Sequence, residues 1–151
     1  MMILTPDEWE VVRLSLRVAA VAVVVSLPLG MALAYGLARG TLPLPFLVEN
    51  LVQLPLVLPP VVVGLGLLVV LSPSGVIGRG IEAVFGTQIP FTWIGAALAA
   101  AIMAFPLMVQ PMRVAFEAVD PEWEEAGYVY GGGRWAVFRH VTLPLAARGL
   151  V

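Results

Sequence analysis

The sequence contains no cysteine and no lysine, and its only histidine is His140. Without cysteine, the chain has no disulfide framework and no thiolate nucleophile. A Walker A phosphate loop ends in Gly-Lys-Ser or Gly-Lys-Thr, so the absence of lysine excludes an ATPase of that kind. His140 has neither a cysteine nor a second histidine with which to bind a metal ion. We therefore predict that the chain is not an enzyme and holds no catalytic, cofactor-binding or metal-binding residues.

Charge is also scarce, because only 12% of the 151 residues are charged, against about a quarter in soluble domains. Between Gly40 and Met112 the charged residues are Glu49, Arg79 and Glu82. The sequence is 60% hydrophobic, with a mean hydropathy of +0.98. No soluble fold hides that much apolar surface, which predicts a membrane protein in contact with lipid. The net charge of −2 carries no polybasic signature and argues against a nucleic-acid partner.

Three stretches are long and apolar enough to be membrane spans, at about 11–38, 46–71 and 91–113. The first follows a capping box, Thr5 to Glu8, with proline at the first helical position. Ala32-Leu33-Ala34 resembles a signal-peptide cleavage site, but the acidic start and the long apolar run favour a retained helix. Small residues at Ala32, Gly36 and Gly40 recur every four positions, a pattern suited to close helix packing in lipid.

The second predicted span is interrupted by proline, which removes a helical hydrogen bond and clashes with the preceding turn. A membrane tolerates such a helix where neighbours or water satisfy the freed carbonyls. Two interpretations stay open: a kink that only shapes packing, or a half-helix end that lines a pathway, as in broken-helix transporters. Proline is also predicted to break the inner half of the third span. The candidate pathway residues are Pro55, Pro59, Pro60, Gly64 and Pro106.

If the three spans alternate sides, the N-terminus and the polar stretch near the C-terminal end lie on opposite faces of the membrane. The side of the polar stretch carries five arginines, namely Arg39, Arg113, Arg134, Arg139 and Arg148. The other side carries three, Arg13, Arg17 and Arg79. This excess favours the side of the polar stretch as the cytoplasmic one. Trp93 lies where an aromatic belt residue is expected.

The polar stretch, residues 120–144, is predicted to form two short helices joined by a glycine turn. Asp120 is a plausible N-cap, and Gly131-Gly132-Gly133 permits a sharp reversal at positive φ. On the first helix a stripe has small residues in its middle and aromatic residues at both ends, which suits a partner that grips this element: Trp123, Ala126, Gly127 and Tyr130. On the second, four apolar side chains share one arc, opposite Arg139 and His140: Trp135, Val137, Phe138 and Val141. Pro144 ends the unit or begins the next helix.

These residues resemble the EAA loop of ABC-importer permeases, which reads Glu-Ala-Ala, three residues, Gly, nine residues, Ile, any residue, Leu-Pro. This chain has Glu125-Ala126-Gly127, then Gly131, then Val141 to Pro144 at the same spacing. It departs from the pattern at Gly127, which lowers helix propensity by about 1 kcal/mol against alanine, and at Val141. Residues Leu54 to Gly64, LPLVLPPVVVG, also resemble the second span of molybdate permeases. Sulfate and tungstate permeases match this stretch less closely.

The resemblance implies an all-α, polytopic transmembrane helical bundle of the type I ABC importer permease fold, with residues 1–151 forming one domain. It implies molybdate import across the cell inner membrane, with the N-terminus outside and the EAA loop in the cytoplasm. The implied partners are a second permease copy, a cytoplasmic ABC ATPase dimer that uses ATP and magnesium, an external substrate-binding protein and membrane lipid. ATPase coupling is then expected of Trp123, Glu124, Glu125, Ala126, Gly127, Gly131, Trp135, Phe138, Arg139, Leu143 and Pro144.

Within that set, Glu124 and Glu125 point about 100° apart on a helix, a poor geometry for a shared acid–base task. Two interpretations stay open: they form a solvated face, or they pair with basic residues of the ATPase, in which case we expect Glu125, at the motif position, to matter more. The chain stops at Val151, where another span would begin, so we expect it to be the first two thirds of a C-terminally truncated subunit.

Several alternatives remain. Sulfate, thiosulfate or tungstate could replace molybdate, because no residue distinguishes the central atom. A secondary transporter would also use broken helices, but it should show an inverted repeat, and the three spans show none. A membrane interaction protein without transport activity, or an inactive fragment, is the most remote interpretation.

Replacing Gly131 with a β-branched residue should break the coupling of ATP hydrolysis to transport, because the reversal there needs positive φ. Membrane insertion should be unchanged, since the predicted spans lie elsewhere. Transport and insertion of Gly131→Val measure the two effects separately, and normal transport would contradict the assignment of Gly131 to the coupling turn.

Overall fold

A computed structural model describes residues 5–148, and every regular element in that range is helical, which confirms the all-α prediction. The chain runs through α1 (Pro6–Ala38), α2 (Pro45–Val57), α3 (Pro60–Leu71), α4 (Val76–Phe85), α5 (Trp93–Glu117), α6 (Pro121–Val129) and α7 (Arg134–Val137), then through a π-helical turn (Phe138–Thr142) into α8 (Leu143–Arg148).

The first helix begins at the predicted capping box. The Glu8 backbone N–H donates to the Thr5 hydroxyl over 3.4 Å, and the Thr5 N–H donates to the Glu8 carboxylate over 2.7 Å. At about 1.5 Å per residue, the 33 residues of α1 are longer than the roughly 30 Å hydrocarbon layer. Both α1 and α5 are long and apolar enough to cross a membrane. Large side chains such as Val24 and Val25 remain two-thirds exposed, as contact with lipid requires.

The second predicted span consists of two helices, α2 and α3, which meet at a bend of 109°. If this pair is one span, the described residues contain three. The break lies at Pro59 and Pro60, where Pro59 precedes the first turn of α3 and Pro60 occupies its first position. Pro55, in contrast, lies inside α2 and does not interrupt it.

The third predicted span is not broken, so the expectation that Pro106 interrupts it is wrong. Helix α5 continues through Pro106 to Glu117, and the Pro106 ring is fully buried. Proline removes one helical hydrogen bond, but a helix can continue where neighbouring groups satisfy the freed backbone carbonyl.

The spacing of the small residues on α1 predicted close helix packing along the stripe. The structure gives two of them a different task. A side chain at Gly36 would meet Leu42, because the loop after α1 folds back onto this position. Gly40 has φ +62 and turns the chain beyond the helix. Ala32 is exposed. Two of the three small residues therefore shape the turn after α1.

Contacts divide the chain into two compact units. Within the described residues, the first unit contains everything up to Leu27 and Gln53–Pro106, and the second contains Pro28–Val52 and everything from Leu107. In the first unit, the Arg17 guanidinium lies 4.0 Å from the ring centre of Trp93, a cation–π contact. The buried apolar side chains of the second unit are Ala34, Leu37, Val52, Val109, Ala115, Phe116, Val119, Val137 and Ala146.

In the first unit, α3 and α4 are joined by a tight turn that depends on glycine. A Cβ atom at Gly78 would lie 1.9 Å from the Ser72 carbonyl oxygen and 2.4 Å from that of Leu71. Gly80, on the same helix, has open space around its Cα. A side chain is therefore excluded at Gly78 but has room at Gly80, two positions further along α4.

Gly78→Ala should destabilise the protein by about 1–3 kcal/mol, because the backbone of the turn must move to admit the methyl group. Gly80→Ala is the matched control and should stabilise α4 by up to about 1 kcal/mol through helix propensity. Thermal unfolding of both variants in detergent measures the difference. Equal midpoints would contradict the close approach at Gly78.

Candidate functional site

The polar hairpin, residues Pro121–Thr142, begins at a capped helix. The Asp120 side chain accepts the backbone N–H of Glu122 over 3.0 Å, and Pro121 occupies the first helical position, which confirms the predicted cap. Helix α6 is nine residues long and includes Gly127. Its first turn carries Glu122 and Glu124, which the positive end of the helix dipole favours.

The reversal between α6 and α7 depends on glycine for two reasons: one position has positive φ, and two others leave no room for a side chain. Gly131 has φ +85, a conformation in which L side chains are strained, which confirms the predicted positive φ. A side chain at Gly132 would meet the Gly127 carbonyl oxygen at 2.8 Å. At Gly127 itself, a Cβ atom would lie 3.1 Å from the Val137 side chain. The missing side chains at Gly127 and Gly132 let the two legs of the polar hairpin pack closely.

The second leg does not end at the Leu143-Pro144 pair, and instead runs on through the π-helical turn into α8. In an α-helix the N–H at position 144 would bond to the carbonyl of His140, but proline has no N–H and its ring clashes there. The chain widens instead, and the Leu143 N–H bonds to the Phe138 carbonyl, five residues back. This turn places the Thr142 side chain in the interior, with no exposed surface.

A buried polar cluster lies under the polar hairpin, and its centre is the Glu124 carboxylate. Glu124 Oε1 accepts from the Arg39 guanidinium at 2.8 Å (Nη2) and 3.2 Å (Nε), and from the Thr142 hydroxyl at 2.7 Å. The same Nη2 donates to the Val119 carbonyl over 3.1 Å. The side chains of Arg39 and Glu124 are 13% and 9% exposed, so neither charge is solvated. Charge-assisted hydrogen bonds of this kind are stronger than neutral ones.

The ion pairs of Arg113, in the same unit, are more exposed than the pair of Arg39 and Glu124. Arg113 bonds to Glu49 over 2.8 Å and to Glu117 over 2.7 Å, but its partners are 37% and 44% exposed. Exposed pairs contribute about 0–1 kcal/mol. Loss of one partner from a buried pair costs about 3–5 kcal/mol, because an uncompensated charge remains inside.

Aromatic side chains surround the cluster on its apolar side. The ring of Tyr35 packs edge-on against Phe116 and Phe138, with ring centres 5.6 and 5.0 Å apart. Trp135 stacks on Phe138 at 5.7 Å. Helix α1, helix α5 and the polar hairpin therefore meet through an apolar cluster as well as through Arg39.

Four aromatic side chains of the polar hairpin are exposed. We call them the aromatic rim: Trp123, Tyr128, Tyr130 and Trp135, which are 62%, 41%, 92% and 71% exposed. Glu125, Ala126 and Arg139 of the same hairpin are exposed as well. An exposed group of aromatic side chains on a short hairpin is the kind of patch that a protein partner covers.

The predicted coupling residues differ in exposure. Trp123, Glu125, Ala126, Gly131, Trp135, Arg139 and Pro144 are exposed, whereas Gly127, Phe138 and Leu143 are partly covered. Glu124 is 7% exposed, so its interpretation as part of a solvated face is wrong: its partners are Arg39 and Thr142 of the same chain. Gly127 likewise admits α7 of this chain rather than an external backbone.

The five predicted pathway residues belong to the first unit, whereas the polar hairpin belongs to the second. Pro59 and Pro60 form the bend, Pro55 and Pro106 lie inside continuous helices, and Gly64 has open space around it. Arg39 was predicted only as part of the arginine excess on one side of the membrane, and Thr142 had no predicted role. The sequence spacing does indicate the burial of Glu124. It lies three residues before Gly127 and so shares the side of α6 that packs against α7.

The sequence is similar to those of known membrane transport proteins. The sequence model of the family described as "Binding-protein-dependent transport system inner membrane component" matches residues 26–151. The molybdenum transport system permease protein ModB of Escherichia coli (strain K12) is 49% identical over 150 residues, which cover 99% of this chain and 66% of that protein. ModB of Haemophilus influenzae (strain ATCC 51907 / DSM 11121 / KW20 / Rd) is 40% identical over 95% of this chain and 63% of its own length.

A permease named for sulfate is also similar to this chain. The sulfate transport system permease protein CysT of Escherichia coli (strain K12) is 33% identical over 152 residues, which cover 95% of this chain and 54% of that protein. The chain thus spans a little under two thirds of the length of the ModB relatives and about half that of CysT.

Thr142→Val should destabilise the protein by about 1.5–3 kcal/mol, because it keeps the shape of the buried side chain but removes a donor to a carboxylate. Thr87→Val, at an exposed position, is the control and should change stability by less than about 0.5 kcal/mol. Thermal unfolding in detergent provides the comparison. An unchanged midpoint for Thr142→Val would show that the hydroxyl contributes nothing.

Proposed function

The chain belongs to the family of binding-protein-dependent transport system inner membrane components, and we propose that it is the permease part of an ATP-driven importer of molybdate. The observation that carries this proposal is the 49% identity to a molybdenum permease across 99% of the chain. The apolar helices and the family together make it a multi-pass membrane protein. Its contribution is then conformational rather than catalytic, and ATP with magnesium is used by a partner ATPase.

The polar hairpin supports the coupling part of the proposal. Its aromatic rim offers exposed apolar surface on a turn that Gly131 makes sharp. A groove on an ATPase subunit would grip this element in the helix-in-groove mode. Glu125 and Arg139 are exposed charges of the same hairpin that can pair with that groove. Closure of two ATPase subunits on ATP would draw two such hairpins together.

The remaining partners follow from the same proposal. Two copies of the permease would enclose the pathway, and an external binding protein would deliver the substrate. The arginine excess favours a cytoplasmic polar hairpin and an external N-terminus. Large exposed apolar side chains on α1 and α3, such as Val25 and Val61, would face lipid.

The pathway is proposed to follow the bent pair α2 and α3. The 109° bend at Pro59 and Pro60 gives α3 an N-terminal end within the chain's most apolar stretch, and no side chain caps it. The positive end of a helix dipole provides weak stabilisation for a dianion. No arginine lies between Gly40 and Arg79, which agrees with weak binding along the way. Selectivity would then reside mainly in the binding protein.

Sulfate is the second candidate substrate, because CysT is 33% identical over nearly the whole chain. Molybdate and sulfate are both tetrahedral dianions, and thiosulfate and tungstate are close analogues. The higher identity to the molybdenum permeases, 49% and 40%, favours molybdate.

The proposal is tested by co-purifying the full-length protein with its ATPase and measuring ATP hydrolysis with loaded binding protein. Molybdate, tungstate and sulfate are supplied in turn. We expect several-fold stimulation by molybdate, or by molybdate and tungstate, and its loss in Glu125→Ala or Gly131→Val. Stimulation by sulfate alone would favour the second candidate, and failure of the ATPase to associate would overturn the permease proposal.

A further inference from the structure

Two adjacent carboxylates of α6 have opposite surroundings. Glu125 is exposed, whereas Glu124 is buried and makes its contacts with Arg39 and Thr142 of the same chain. A partner at the surface of the polar hairpin can therefore reach Glu125 but not Glu124. The buried carboxylate needs a different role from the exposed one.

Arg39 gives Glu124 a connection to two membrane helices. The residue follows the last turn of α1, and its guanidinium bonds both to Glu124 Oε1 and to the Val119 carbonyl just beyond α5. A guanidinium is planar and directs several donors at fixed angles, so it holds its partners in one relative orientation. One side chain thus joins the ends of α1 and α5 to the first helix of the polar hairpin.

The second leg of the polar hairpin is tied to the same oxygen. Thr142 Oγ1 donates to Glu124 Oε1 over 2.7 Å from the π-helical turn that precedes Pro144. The rings of Tyr35, Phe116 and Phe138 join the same three elements by an apolar route. Two sets of contacts therefore hold the polar hairpin against α1 and α5. One is the polar set around Glu124, and the other is the set of packed aromatic rings.

We propose that Arg39 and Glu124 are positioning residues of the transport cycle: their buried ion pair makes the polar hairpin and the C-terminal ends of α1 and α5 move as one body. The inference rests on the proposed permease function and assigns these two residues a task that contact with the ATPase does not explain. When the ATPase displaces the aromatic rim, the ion pair carries that displacement into the helices. Without the pair, the polar hairpin turns on its own, and hydrolysis continues without transport.

The experiment uses the full-length protein reconstituted in liposomes with its ATPase and molybdate-loaded binding protein. Molybdate uptake per ATP hydrolysed is compared for wild type, Glu124→Gln, Arg39→Gln and the control Glu122→Gln, an exposed carboxylate of the same helix. We expect a loss of about tenfold or more in Glu124→Gln and Arg39→Gln, the effect of losing one charge-assisted contact. Glu122→Gln should match wild type. Equal uptake per ATP in Glu124→Gln and Glu122→Gln would overturn the inference.

A double variant separates positioning from simple stability. Arg39→Met with Glu124→Gln leaves no unpaired charge inside, so its unfolding midpoint should return close to that of wild type. Its uptake per ATP should stay low, because the directional contact is still absent. Recovery of both quantities would show that the pair is only structural and would overturn the inference.

A distance measurement tests the single moving body directly. The 151 residues contain no cysteine, so spin labels at Ala32→Cys on α1 and Glu122→Cys on α6 report one intrachain distance once any cysteine outside them is replaced. We expect the same distance without nucleotide and with ATP trapped, and a broader distribution in Glu124→Gln. A shift larger than the width of the wild-type distribution would overturn the inference. If wild type shows no stimulated hydrolysis, the proposed function fails first, and the inference fails with it.

Discussion

The buried contact between Arg39 and Glu124 is the interaction on which the second unit depends. Apolar side chains can slide over one another at little cost, and this chain is mostly apolar. A carboxylate whose side chain is 9% exposed needs hydrogen-bond donors fixed around it, and here they come from Arg39 and Thr142. The ion pair therefore gives direction to a region that hydrophobic packing alone would leave free to rearrange.

Local chemistry made much of the fold and part of the site predictable from the sequence. The Asp120 cap, the reversal at Gly131 and the capping box at Thr5 each depend on residues within a few positions of one another. The pairing of Arg39 with Glu124 joins residues 85 positions apart, and no local pattern encodes it. The stripe that contains Trp123 and Gly127 was visible, but which of its members faced outward depended on where α7 packed.

Proline shows the same limit, because one residue type has three outcomes in this chain. At Pro59 and Pro60 the helix bends by 109°, at Pro106 it continues, and before Pro144 it widens into a π-helical turn. The missing N–H is common to all of them. The surroundings differ: the ring of Pro106 is fully buried inside a continuous helix, whereas Pro59 and Pro60 lie where two helices meet. The sequence identifies the weak point, and tertiary packing decides how the chain accommodates it.

The 85 positions between Arg39 and Glu124 also set an order of events during synthesis. At about 5–20 residues per second, Arg39 is added to the chain roughly 4–17 seconds before Glu124. During that interval α1 can leave the ribosome and enter the bilayer, while the guanidinium at its end still lacks the Glu124 carboxylate. The polar hairpin therefore meets an α1 that was made before it, and a nascent chain that pauses before Glu124 presents a cation without its carboxylate partner.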